Sequence, residues 1–316
     1  MQCNVHLSSI VSSTLDTWER HVNRRLAPGL VTFARRTGAT QWAGWRSAEL
    51  GASRRVALLL HGTGGARHSW APVLDHLDPT IGVVVPDLPG HGATVCGTHP
   101  RHGLRDMAHD LLELVDAEGL SRIDLIVGHS AGAAVGLELM LAAPATLTVS
   151  GCLGIAPSLV PPPSLYSMLL GPLLAPLVGS EPSVQFAAML ARSTGMVDRL
   201  LASTGSTIDE RQREAYRLLL GDAAQMRGAI NFMAATDLPS LLERISGVRA
   251  LCEFIVAEDD PWIPVVPLTA IIARHLPQAH VELWRGGHML PEADPQRVAE
   301  AIAWRMSRAR ANGMGR

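Results

Sequence analysis

The sequence predicts an α/β fold: a mostly parallel sheet flanked by helices, with a helical cap inserted between its strands. Three observations carry that expectation. Short, nearly continuous apolar runs alternate with longer segments of helical spacing, the pattern of a parallel sheet with crossover helices. One long stretch, residues 157–244, rich in Leu, Met, Ala and Pro, interrupts the alternation. And 47% of the 316 residues are hydrophobic, enough to bury a large core.

In chain order, residues 55–61 (RVALLLH), 81–86 (IGVVVP), 123–128 (IDLIVG) and 149–156 (VSGCLGIA) read as strands. A sheet covered on both faces needs such unbroken apolarity. Between them, 107–117 and 133–143 place apolar residues at helical spacing. The interruption opens on Pro161-Pro162-Pro163, and 209–220 is its clearest amphipathic helix. Strands at 251–257 and 281–284 and helices at 267–275 and 295–306 then resume the alternation. Residues 1–156 and 245–316 are thus assigned to the core, 157–244 to a cap over the C-terminal edge of the strands. Residues 309–316 read as a frayed tail.

The net charge of −2 and the scattered arginines give no basic field, so nucleic acid is not an expected partner. All 27 basic residues are arginine. Without lysine there is no Schiff-base catalysis, no covalent pyridoxal phosphate and no P-loop. Cys3, Cys96, Cys152 and Cys252 have no framework spacing, and the two in strand-like runs read as buried thiols. The first residues lack the basic and apolar regions of a signal peptide. The apolar run at 165–178 is too short to span a bilayer and holds Pro172 and Pro176. A cytoplasmic location is expected, with contact at a membrane surface left open.

The chemistry concentrates in three loops. Gly128-His129-Ser130-Ala131-Gly132 fits G-x-S-x-G between a strand and a helix, the context that makes this motif informative. The turn strains the serine backbone and brings the chain close to itself, so Gly128 and Gly132 must be tiny structural residues of the elbow. Ser130 is then the nucleophile, with the Ala131 N–H aimed at a developing oxyanion. A base and an orienting acid should follow in chain order. His288, in Arg285-Gly286-Gly287-His288-Met289, is the base. Among Glu258, Asp259 and Asp260 the D-x-x-hydrophobic-Pro pattern favours Asp260 as the acid, with Asp259 in reserve. His61-Gly62-Thr63-Gly64-Gly65 supplies the second oxyanion donor, the Thr63 N–H, with Gly64 as the alternative.

Two other loops read differently. Asp87-Leu88-Pro89-Gly90-His91-Gly92 is assigned a structural role. His91, Cys96, His99 and His102 lie close in sequence but match no zinc spacing, so no metal and no other cofactor is expected. His129 is expected to wall the elbow.

These motifs resemble the α/β-hydrolase superfamily from about Ala48 to Arg308, and the resemblance implies the α/β-hydrolase fold: a mostly parallel eight-stranded sheet flanked by helices, with the helical cap inserted after the sixth strand. The first 45 residues match poorly and are assigned nothing. Longer stretches are similar to one branch: His61 to Trp70, Pro86 to Gly92, Gly128 to Ala134, and the cap run Ser203-Thr204-Gly205-Ser206-Thr207-Ile208-Asp209 followed by Tyr216. That branch is the magnesium chelatase accessory proteins of bacteriochlorophyll biosynthesis in photosynthetic bacteria. The resemblance implies a serine-dependent hydrolase acting near magnesium insertion on a hydrophobic small-molecule substrate, a tetrapyrrole among the candidates, in contact with the chelatase. Its alternative is a non-catalytic tetrapyrrole-binding or chelatase-assisting accessory protein. A C–C hydrolase or cofactor-free haloperoxidase would use the same residues. Residues 157–240 hold six arginines against seven acids, and one such arginine could pair a porphyrin propionate.

Overall fold

Helix α1 (Ser13–Asn23) and an antiparallel hairpin, β1 (Leu30–Thr37) with β2 (Thr40–Ser47), begin the computed structural model. It describes residues 13–24, 26–50, 54–97, 103–160, 181–193 and 195–313. All but the last two residues of the hairpin fall within the first 45, which match the resemblance poorly. Its outer strand, LVTFARRT, buries no residue fully, so it carries no apolar run. An antiparallel edge strand needs only alternate contacts with the core, which explains why the apolar test misses it.

The chain continues through β3 (Val56–Leu60), α2 (Ala71–Leu74), β4 (Gly82–Pro86), α3 (Leu104–Ala117) and β5 (Arg122–Ile123). Next come β6 (Leu125–His129), α4 (Ala131–Ala142), β7 (Thr148–Val149) and β8 (Gly151–Ile155). Strands β5 and β7 form a separate two-stranded pair. The helices α5 (Glu181–Ser193), α6 (Met196–Ala202), α7 (Glu210–Leu220), α8 (Ala223–Ala235) and α9 (Leu238–Arg244) follow. The chain closes with β9 (Leu251–Ala257), α10 (Val265–His275), β10 (His280–Trp284), α11 (Leu290–Ala293) and α12 (Pro295–Gly313). Helix α12 carries the backbone five residues into the stretch expected to fray. The expected start of the cap, at Pro161-Pro162-Pro163, lies outside the described residues, as do Cys3, His99 and His102.

The main sheet has eight strands in the order β1-β2-β4-β3-β6-β8-β9-β10, antiparallel only where β2 meets β1 and β4. β8 is the sixth strand of this sheet along the chain, so the helical insertion follows the sixth strand. Alternation along β3 shows how the sheet is covered. Val56, Leu58 and Leu60 join the apolar layer with α3, α4 and α10, while Ala57 and Leu59 join the layer with α1 and α12. Burial on both faces is the main stabilising term, about 1.5–3 kcal/mol per large side chain. Cys152 and Cys252 are buried thiols in register across β8 and β9.

Polar side chains set the helix limits. Asp209, Asp222 and Asp237 cap α7, α8 and α9 by accepting backbone N–H groups. Buried Glu138 of α4 takes a two-pronged ion pair from Arg244 at the end of α9 (3.0 and 2.8 Å), which ties the insertion to the core. The loop after β4 is structural: buried Asp87 pairs with Arg67 and accepts the Arg67 N–H (2.7 Å) and the Ala93 N–H (2.9 Å). Among the described residues, no helix is long and apolar enough to cross a membrane.

Candidate active site

Strand β6 ends and α4 begins within one residue, and Ser130 is that residue. Its φ of 54° and ψ of −121° are strained for a side chain larger than glycine. The flanking glycines follow from the same turn. A Cβ on Gly128 would lie 2.4 Å from Ala133 Cα, and one on Gly132 would lie 2.3 Å from Leu60 O. Backbone bonds fasten the elbow: Ser130 N–H donates to Ile155 O (2.9 Å), and Ser158 N–H donates to Ser130 O (3.0 Å). Ala156, just past β8, also has a positive φ of 44°.

The structure brings Ser130, His288 and Asp260 into one hydrogen-bonded line. His288 Nε2 lies 2.9 Å from Ser130 Oγ, and His288 Nδ1 lies 2.7 Å from Asp260 Oδ2. Asp260 and His288 are buried. The second Asp260 oxygen accepts the N–H groups of Trp262 (2.8 Å) and Ile263 (3.0 Å), which locks the carboxylate plane. Asp259 faces elsewhere and accepts the Gly286 N–H at 3.1 Å. Of the two aspartates that the sequence offered, Asp260 is the one in contact with the imidazole.

His129 points away from Ser130 chemistry. Its Nε2 donates to the His288 carbonyl (2.8 Å), so it holds the backbone of the histidine loop. Burial pushes its pKa down to about 3, which keeps the ring neutral. His61 is similar: burial lowers it to about 4, and its Nε2 accepts the Leu88 N–H at 2.9 Å. Thr63 and Ala131 border the same cavity as Ser130, and a Cβ on Gly62 would come within 2.9 Å of Ser130 Cβ. Gly62 thus lies against the Ser130 side chain.

Sequence reasoning missed what holds these loops in place. The cap run Thr204-Gly205-Ser206 grips the histidine loop: His288 N–H donates to Thr204 O (2.8 Å) and Met289 N–H to Ser206 Oγ (2.9 Å). The backbones approach so closely that a Cβ on Gly287 would sit 2.4 Å from Gly205 C. The second support is a buried network. Tyr216 OH on α7 donates to Glu292 Oε1 (2.8 Å) and lies 3.1 Å from Ser69 Oγ. Gln212 Nε2 donates to Glu292 Oε2 (3.0 Å). Burial raises the Glu292 pKa to about 8, so its carboxyl is largely protonated at neutral pH. Glu292 stands four residues after His288, and Gln212 and Tyr216 are one helical turn apart, but the pairing spans 76 residues and leaves no local signal in the sequence.

Above Ser130 is a cavity of about 780 Å³. Its wall combines residues of the insertion such as Leu159, Leu201, Leu220 and Met233 with Leu104 and Ile263 from the core. The arginine anticipated as a propionate partner is not there: the described lining residues include no Arg, Asp or Glu. His91, one of the clustered histidines and cysteines, packs between the rings of His61 (5.3 Å) and Phe232 (5.9 Å). Among the described residues, Glu253, His280 and Glu282 come close enough together to hold a cation. Arg305 already bridges both carboxylates, at 2.9 and 2.6 Å, which accounts for that cluster without a metal.

Comparisons with known proteins agree with this fold. The model of the "Alpha/beta hydrolase family" matches residues 57–301. The magnesium-chelatase 30 kDa subunit of Rhodobacter capsulatus is 31% identical over 264 residues, 82% of this chain and 88% of that protein. Lip1 of Acinetobacter baumannii AYE superposes with a TM-score of 0.73 at 19% identity, covering 97% of this chain and 99% of that one. A bacterial membrane phospholipase A superposes with a TM-score of 0.70 at 16% identity, over 94% of this chain and 90% of that one. At these identities the two structures speak for the fold alone.

Proposed function

The chain belongs to the alpha/beta hydrolase family, and on that footing we propose that it is a serine hydrolase cleaving an ester of a large hydrophobic small molecule. The observation that carries this reading is the unbroken line from Asp260 through His288 to a strained Ser130 facing an apolar cavity. Asp260 keeps the imidazole proton on Nδ1, leaving Nε2 to accept the Ser130 proton as Oγ attacks the carbonyl carbon. The tetrahedral oxyanion is held by the N–H groups of Thr63 and Ala131. Ala131 is the first residue of α4, so the helix N-terminus adds positive potential there. His288 then protonates the leaving alcohol. Water, deprotonated by the same Nε2, releases the acid and regenerates Ser130.

The proposed setting is bacteriochlorophyll biosynthesis at the magnesium chelatase step, with a tetrapyrrole-derived substrate and contact with the chelatase. It is supported by the similarity to the chelatase subunit over most of both chains. A purely binding accessory protein would have no use for a serine held at φ 54°. Cells lacking the protein, supplied with wild type or Ser130→Ala, test the proposal. Wild type restores pigment and the variant does not. Full restoration by Ser130→Ala would leave only the accessory role.

A further inference from the structure

Resting on the hydrolase reading, we infer that the cavity admits its substrate only in uncharged form: an ester whose carboxyl groups within the cavity are all masked, and not the corresponding free acid. The argument begins with the walls. Every described residue lining the cavity is apolar, glycine or neutral polar, apart from the histidines His129 and His288. Neither histidine is available to a substrate carboxylate. His129 Nε2 is committed to the His288 carbonyl, and burial keeps that ring neutral. His288 is flanked by the Asp260 carboxylate at 2.7 Å, which already balances any positive charge on the ring. Tyr216, the cavity's phenol, is committed to Glu292 and Ser69.

Away from the Thr63 and Ala131 N–H groups, a carboxylate moved from water into such walls loses its hydration and gains no cation among the described residues, which is strongly unfavourable. The same groups masked as alkyl esters lose little and bury apolar surface instead. Chemistry gives this selection a direction. Hydrolysis adds water across the acyl–oxygen bond: the alcohol leaves with the His288 proton, and the acyl group departs as a carboxylic acid. At neutral pH that acid ionises. Along its apolar walls the cavity therefore favours carboxyl groups masked as esters over the same groups ionised. An esterifying reaction, a transfer of an alkyl group to a carboxylate, must precede this enzyme.

Binding can be separated from turnover with the Ser130→Ala protein and two fluorescent probes, 12-(1-pyrenyl)dodecanoic acid and its methyl ester. At pH 8 the ester should bind at least about thirtyfold more tightly than the acid. The gap should close as pH falls toward 4.5, where the acid is neutralised. Met233→Arg, which puts a cation on the wall, should raise acid affinity at pH 8. Equal affinity of the two probes at pH 8, or tighter binding of the acid, overturns the inference. Fluorophosphonate labelling of wild type is scored alongside. Failure to label with the ester preference intact sinks the hydrolase reading and leaves the charge selection standing. Labelling without the preference does the reverse.

Discussion

Replacing Asp260 with Asn should abolish the base without disturbing the fold, and the hydrogen bonds around it say why. Oδ1 accepts two backbone N–H groups, from Trp262 and Ile263. In the amide only the oxygen can take that place, so the NH2 must face His288 Nδ1. Donating to Nδ1 moves the imidazole proton to Nε2, which then presents a donor to Ser130 instead of an acceptor. Flipping the amide is no escape, because two N–H groups would each lose a partner, at about 1–3 kcal/mol apiece. The same tautomer trap in serine proteases costs about 10⁴ in kcat, or about 5 kcal/mol of transition-state stabilisation. Turnover of 4-nitrophenyl butyrate at pH 8 measures it, with KM little changed. Asp259→Asn is the control: its contact is the Gly286 N–H at 3.1 Å, and activity should stay within about threefold. If Asp260→Asn keeps more than a tenth of activity, or Asp259→Asn loses as much, the assignment of the acid is wrong.

Three other expectations follow from the supports of the site. Glu292 holds its proton up to about pH 8 when folded but loses it near 4.5 when unfolded, so the folded state binds more protons between those values. Its contribution to stability therefore falls as pH rises through that window, by up to about 1.4 kcal/mol per unit. In Glu292→Gln, thermal denaturation across pH 5–8 should lose this downward slope; an unchanged slope contradicts a buried neutral carboxyl. Burial lowers His129 to about 3 and His61 to about 4. Their unfolded forms take up protons first, so stability should drop as pH falls below about 6.5, and His129→Gln should make that drop shallower. Gly287→Ala drives a Cβ to 2.4 Å from Gly205 C, separating the cap turn from the histidine loop. It should lower kcat at least about tenfold while Tm moves by only a few degrees, and unaltered kcat would remove the cap turn from the machinery.

Ser130 and His288 were legible in the sequence because short-range rules announce them: a strand-turn-helix with obligatory glycines, and a histidine in a glycine loop after a strand. Asp260 was legible only as one of three neighbouring acids, since side-chain direction in a loop has no sequence period. The Tyr216–Glu292 bond was not legible, for its partners lie 76 residues apart on different layers. Hairpin β1–β2 escaped for a different reason. Its outer strand faces solvent along most of its length, so apolar continuity, the signal that found β3, β4, β6 and β8, is missing there. The absence of an arginine from the described cavity wall is likewise a property of packing: cap arginines such as Arg217 are spent on Asp198 and Glu210.

The most direct measurement is the intact mass and peptide map of the protein after exposure to an alkyl fluorophosphonate. The account predicts one adduct, on Ser130, absent from Ser130→Ala and formed far more slowly in Asp260→Asn. Folded wild-type protein that takes up no adduct at Ser130 would contradict it.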